Sequence, residues 1–373
     1  MERIAMPTGR IPPGSSRNEK TSQTPLRRLR IWLLWLVSFY SVWLFLALGL
    51  GYWDQIQAHW PIAAAMALGS YVAGSTPMGG GTIGFPVLVL LFEMPAALGR
   101  NFGLMIQSIG MTSASIFILC RGTPIERRML LWSVAGSAAG LLLGTYYVVP
   151  VISDAAIKLI FACLWMSFGV LTLIKNRELC GFQNLAPIPH REALILGLAV
   201  GLCGGITASV TGVGIDMMLY TVLVLLYRMD LKAAVPTSVI IMAVSSILGT
   251  ALHLHIGDLD AETFQNWLAA SPVVILGAPF GAFLVCIIPR MITLYVVAVL
   301  CVLQFFWTLH EVGPTPGQWV FAAANLLTAM AGFIVLYRLG KARTGQRGAA
   351  EPVSPGPVRI PGASRTIPDA ETP

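Results

Sequence analysis

Charged side chains are scarce in this chain. Asp, Glu, Lys and Arg make up 11% of its 373 residues, against about 25% in a soluble domain. Hydrophobic residues make up 56%, and the mean hydropathy is +0.74. Many apolar runs approach the ~20 residues needed to cross a bilayer. They are continuous rather than alternating, which argues against a transmembrane β-barrel. The expectation is an all-α polytopic membrane protein.

Other absences narrow the chemistry. None of the six cysteines, at 120, 163, 180, 203, 286 and 301, forms a CxxC pair, so zinc-ribbon and thioredoxin-like readings fail. Most lie in apolar runs and read as small buried hydrophobes. There is no GxxxxGK[ST] run, which argues against direct ATP drive. No HExxH, GxSxG or Ser-His-Asp constellation falls on plausible spans. An intramembrane aspartyl protease needs two acids in the bilayer and a Gly-x-Gly-Asp run; here Ile215 separates Gly214 from Asp216. The chain is therefore read as a non-enzyme. The net charge of +7 sits in tails and short loops, where topology explains it without a nucleic-acid partner. The five histidines (59, 190, 253, 255, 310) stand at membrane edges and read as interfacial filling. No metal or cofactor is expected.

Two glycine-rich interruptions stand out. Ala73–Pro86 reads AGSTPMGGGTIGFP, and Ala208–Thr221 reads ASVTGVGIDMMLYT. A shift of 135 residues lays Thr76 on Thr211, Gly79 on Gly214, and VLVLLFEM (87–94) on VLVLLYRM (222–229). In the first unit, 61–92, the leg Pro61–Ser75 would be about 22 Å long as helix and Gly84–Phe92 about 14 Å. Neither crosses ~30 Å of hydrocarbon alone. The second broken unit is 193–227. Full spans are expected near 31–52, 98–119, 129–149, 155–174, 232–252, 271–288, 291–309 and 318–338.

If each broken unit is a re-entrant hairpin, all of the 24 Lys and Arg except Arg100 and Lys158 fall on the cytoplasmic side, with both termini. If each crossed once, the basic residues of 120–128 and 175–192 would move outside. The positive-inside rule favours hairpins. The first then dips from outside and the second from inside, each followed by three crossings. This gives two inverted repeats, 61–175 and 193–310, a common plan for secondary transporters. Spans 31–52 and 318–338 are additions, and 1–30 and 339–373 read as disordered cytoplasmic tails.

Backbone can be interrupted in a membrane only inside protein or beside water. Half-helix N-termini at a break present free N–H groups to anions, and glycine allows close approach. Candidate substrate-binding residues are Thr76, Gly79, Gly80, Gly81, Thr82, Thr211, Gly212 and Gly214. Polar groups on the following spans join them: Arg100, Asn101, Gln107 and Ser108, then Thr237 and Ser238, with Ser245 and Ser246 beyond. Close helix packing through small residues is the competing reading of the glycines. Arg100 is read as guiding or binding an anion, or as snorkelling to headgroups. Asp216 is the acid placed within the membrane; it is a candidate for coupling anion movement to protons, or a hydrogen-bonded acid at the cytoplasmic mouth. Cys203 lies one turn before the second break. The partners implied are a small anionic substrate and the lipid bilayer. A passive anion channel would use the same breaks.

With STPMGGGTIGFPVLVLL, TGVGIDMMLYTVLVLL and KAAVPTS (Lys232–Ser238), the chain resembles the sulfite exporter TauE/SafE family over about 60–310. The resemblance implies a secondary transporter of sulfur oxyanions or organosulfonates, such as sulfite, thiosulfate or sulfoacetate, in a bacterial inner (plasma) membrane. Asp216 takes a position usually glycine in that family, Thr221 stands for a usual proline, and GRNFGLMIQSIGM (99–111) replaces the usual Ala and Thr-Ser element.

Overall fold

The computed structural model describes residues 29–76, 81–284 and 290–350. Among them it is all-α, with nine helices long and apolar enough to cross a membrane. In order, α1 is Arg30–Leu44, α2 Trp53–Ala58, α3 Trp60–Ser75, α4 Gly81–Pro86, α5 Ala96–Arg121, α6 Arg127–Leu143 and α7 Asp154–Cys180. Then come α8 His190–Thr211, α9 Ile215–Thr221, α10 Leu231–Ile256, α11 Ala261–Leu284, α12 Arg290–Val312 and α13 Pro316–Ala350. The chain is an integral membrane protein.

The 135-residue offset persists in the backbone. After α4 the VLVLL run Val87–Leu91 widens into a π-turn, and after α9 Val222–Leu226 does the same. A left-handed non-glycine follows each, Glu93 at φ 54° and Arg228 at φ 50°. Met94 N–H then donates to Leu88 C=O (3.0 Å) and Met229 N–H to Leu223 C=O (3.1 Å). Helices α5 and α10 both have 26 residues, and left-handed glycines, Gly122 and Gly257, close them. A sequence repeat that reproduces caps, bulges and helix lengths is a structural duplication.

Both broken units fold back on themselves. Ile83 and the backbone of Gly84 lie against Gly69 and Met66 of the preceding leg. At the open end of the second unit, the Tyr227 hydroxyl donates to Glu192 at 2.7 Å, beside the start of α8. The 22 residues of α8 measure about 33 Å, so this leg alone is long enough to cross, unlike α3.

The halves interlock through equivalent elements. The start of α5 meets the end of α10, where Arg100 and Asn101 reach Asp258. The end of α5 meets the start of α10, where Glu126 N–H donates to Thr237 Oγ1 at 3.0 Å. These helices are therefore antiparallel. So are α7 and α12: Asn176 bonds Met291 C=O near one end, and Gly169 lies by Ala298 and Cys301 further along. Each half also lends its first leg to the other, with α3 packed on α11 and α8 on α6. Small residues permit this: a Cβ on Gly74 would overlap the Ala278 carbonyl, and one on Gly140 the Leu202 carbonyl.

Helix α1 has no buried residue. Polar tips of its aromatics hold it, with Trp32 Nε1 to Ser113 Oγ (3.0 Å), Tyr40 to Pro272 C=O (2.6 Å) and Trp43 Nε1 to Leu268 C=O (2.8 Å). Helix α13 runs to Ala350, into the stretch read as a disordered tail from 339. The next proline is Pro352, and nothing before it forbids helix.

Candidate functional site

The second break forms because the chain changes hand twice. Helix α8 ends at Thr211, Gly212 takes φ 77°, Gly214 takes φ 111°, and α9 then starts. Only glycine adopts such values without strain. Gly212 also has no room for a side chain, since its Cα faces the Arg100 carbonyl of α5. Gln107 Nε2 donates to the carbonyls of Gly103 (3.0 Å) and Gly212 (3.2 Å), which pins the break to α5. Thr211, Gly212, Val213, Gly214, Ile215 and Asp216 are all buried.

The first break is visible in its flanks. Thr76 leaves α3 in extended conformation, φ −136° and ψ 163°, and is buried. Gly79 and Gly80 lie outside the described residues, and Gly81 and Thr82 open α4. Aromatic rings of α7 connect this unit to the other. Phe85 stacks on Phe161 at 4.5 Å between centroids, and Phe161 stacks on Trp165 at 4.3 Å. The Trp165 ring edge then lies against Gly214. All three rings are buried.

Most candidate hydroxyls are turned onto backbone. Thr76 donates to Val72 C=O (2.8 Å), Ser108 to Met105 C=O (2.7 Å) and Ser238 to Val235 C=O (2.8 Å). Thr211 Oγ1 lies within reach of the Thr207 (3.0 Å) and Val213 (2.9 Å) carbonyls. Thr237 donates to Ala233 C=O (2.6 Å) while accepting from Glu126. Ser245 reaches Ser137 at 3.1 Å. By contrast, the Gln107 Oε1, Asp216 Oδ2 and Ser246 Oγ atoms are buried without a hydrogen-bond partner among the described residues. The other Asp216 oxygen accepts from Met217 N–H at 2.9 Å. Buried polar atoms are nearly always satisfied in native proteins, so these atoms mark places where a solute, water or proton can be received.

Arg100, Asn101 and Gln107 gather beside the second break, whereas Thr237 and Ser238 belong to the opposite end of the α5–α10 pair. Arg100 does not snorkel. It is 3% exposed, with Nη2 3.3 Å from Asp258 Oδ2 and Nε 3.0 Å from Asn101 Oδ1. Asn101 Nδ2 donates to the Asp258 carbonyl at 3.0 Å, and His253 Nδ1 lies 2.9 Å from the Asp258 carboxylate. His253 is 1% exposed, a buried partner rather than interfacial filling.

Sequence reasoning missed Asp258 and the Phe85–Phe161–Trp165 stack. Asp258 lies in the short acidic stretch Gly257–Glu262, but nothing local links it to Arg100, 158 positions earlier. The stack joins α4 to α7 through residues that read in sequence as ordinary apolar filling.

A family model described as sulfite exporter TauE/SafE matches residues 61–307. Comparison with curated proteins and with solved structures gave no match. The matched stretch opens in α3 and closes inside α12, so it takes in both broken units and leaves α1 and α13 outside. With two fold-back units, each built on a glycine-bearing interruption and packed against the other half of the molecule, the chain belongs to the sulfite exporter TauE/SafE family of membrane transporters.

Proposed function

We propose that the protein is a secondary transporter of small sulfur-containing anions, the sulfur oxyanion and organosulfonate class that includes sulfite, thiosulfate and sulfoacetate. One observation carries this reading. Two interruptions in a transporter-family chain are tied by a buried aromatic stack, and one of them is clamped by Gln107 and the Arg100 backbone. Thr76 and the start of α4 belong to one wall of the substrate site. Thr211, Gly212 and Gly214 supply the other, with Arg100, Asn101, Gln107 and Ser108 beside it and Thr237 and Ser238 on the approach from the opposite face.

The halves work as inverted repeats. Support comes from the antiparallel α5–α10 and α7–α12 pairs and from the Glu192–Tyr227 contact that closes the second hairpin. Had each broken unit crossed once, four crossings per half would leave equivalent helices parallel. With N- and C-termini cytoplasmic in a bacterial inner membrane, the Arg100–Asp258 end faces outward and the Thr237–Glu126 end inward. Alternating access then exchanges which of these two ends is closed.

Asp216 carries the coupling proton. It is wholly buried, one carboxylate oxygen has no partner among the described residues, and it follows the interruption directly. An ionised acid there would repel an arriving anion, and a protonated one would not. The test is flux of labelled thiosulfate, sulfite and sulfoacetate in proteoliposomes, with and without a pH gradient. The wild type should accumulate at least one of them when the gradient is imposed. Asp216→Asn should keep downhill flux and lose the gradient-driven component. Retained gradient response in Asp216→Asn would remove the proton role, and a wild type indifferent to all three anions would remove the substrate class.

A further inference from the structure

Resting on that reading, we propose that Asp258 is a tethered competitor of the substrate: its carboxylate holds the anion place on Arg100, and an arriving sulfur oxyanion displaces it.

The two partners are unequally placed. The Arg100 side chain is 4% exposed, while that of Asp258 is 37% exposed. Removing the counter-charge from a buried guanidinium is costly, whereas a half-exposed carboxylate can return to water at little cost. The low-cost way to open this pair is therefore exchange, in which another anion reaches Arg100 as Asp258 leaves. The existing grip is weak in form. It is a single Nη2–Oδ2 contact of 3.3 Å, not the two-toothed pairing a guanidinium offers an oxyanion. Nε is taken by Asn101, and no other partner of the guanidinium occurs among the described residues.

Asp258 stands at the outer edge of this cluster, its side chain 37% exposed. It follows Gly257, at φ 81°, with open space where a Cβ would stand. His253 Nδ1 and Asn101 Nδ2 hold it in the closed position. Asp260 is turned to Thr263 and does not bond Arg100. The consequence reaches the transport path, because the carbonyl of Arg100 rests against Gly212. Exchange at the guanidinium thus bears on the residue that shapes the second break.

The experiment uses the full-length protein in proteoliposomes, with labelled thiosulfate supplied on the Asp258 face. Asp258→Asn should lower KM on that face by about fivefold, the size expected for losing a half-exposed competing charge. Adding Arg100→Gln to it should abolish the gain and raise KM above wild type. An unchanged or higher KM in Asp258→Asn, with wild-type elution and melting, would overturn the proposal and leave a purely structural ion pair. Hydrogen exchange on the wild-type protein gives a second measure that needs no variant. Saturating thiosulfate should speed exchange across 257–262, and unchanged exchange there would also overturn it. A wild type that moves thiosulfate while failing both tests loses only this inference. A wild type that neither moves nor binds it loses the functional reading as well.

Discussion

The two broken units share a backbone but not a setting. Both end in a π-turn followed by a left-handed residue, Glu93 in one and Arg228 in the other. The end of the first unit is open: Leu91 is 57% and Phe92 40% exposed, and Glu93 makes no ion pair among the described residues. The end of the second is covered. Leu226 and Tyr227, the equivalent residues, are 4% and 9% exposed. Arg228 pairs with Glu178 at 3.2 Å and lies 4.9 Å over the Phe182 ring. Tyr337 of α13 donates to Glu178, and Arg343 bonds Glu192. The two hairpins match in backbone, and the C-terminal helix anchors the second of them. The anchored hairpin is the one that carries Asp216.

The largest expected effect separates glycines needed for conformation alone from those needed for contact as well. Gly257→Ala leaves free space around the new methyl but places alanine at φ 81°, a strain of about 1–2 kcal/mol. Gly212→Ala adds the same strain at φ 77° and drives the methyl into the backbone of Arg100. That backbone cannot move without shifting the start of α5. Gly212→Ala should abolish thiosulfate flux or prevent a monodisperse preparation, while Gly257→Ala should retain flux with a modest fall in melting temperature. Equal behaviour of the two would mean that the contact at the second break is slack.

Much of this contrast was legible in the sequence. The 135-residue repeat, the positions of both interruptions and the membrane class follow from runs of VLVLL beside Thr and Gly, because bilayer length and backbone pairing leave few alternatives. The termini of α5 and α10 were readable to within a few residues. What could not be read is what the repeat does not duplicate. The anchoring of Arg228 depends on Glu178 and Phe182, on the loop side of α7, and on Tyr337 in α13, all remote from it in the chain. Arg100 was singled out as an isolated positive charge, but its partner is set by the antiparallel packing of α5 on α10. The continuation of α13 was missed because a charged, glycine-containing composition resembles a tail until an acceptor such as Glu192 lies within its reach.

The next effect tests the two left-handed residues against each other. Glycine relieves strain at both, at the cost of greater freedom in the unfolded chain. At Glu93 nothing else changes, so Glu93→Gly should leave the melting temperature in detergent unchanged or slightly raised. At Arg228 the same substitution removes an ion pair and the contacts with the Phe182 and Tyr337 rings, together about 1–3 kcal/mol. Arg228→Gly should therefore lower the melting temperature by several degrees. Matching shifts at the two positions would contradict the claim that only the second hairpin is anchored.

The smallest effect concerns the outer edge of that anchor. Arg343 meets Glu192 at 2.7 Å, but the two side chains are 43% and 39% exposed, so the pair contributes at most about 1 kcal/mol. The guanidinium also lies 5.3 Å over the Tyr227 ring. Burial, reinforced by the bond to Glu192, pushes the Tyr227 phenol up to about 12. Tyr227 therefore remains a donor through neutral pH and holds Glu192 without help from Arg343. Arg343→Ala should cost a degree or two in melting temperature at low salt and almost nothing at high salt, where exposed charges are screened. It should also raise hydrogen exchange at 222–230 without altering exchange at 87–95, because α13 packs on Val222–Leu226 of the second hairpin and Arg343 lies over Tyr227. Parallel increases in both stretches would show that the hairpins respond as one body, and the distinction between an open and an anchored unit would then describe packing without mechanical consequence.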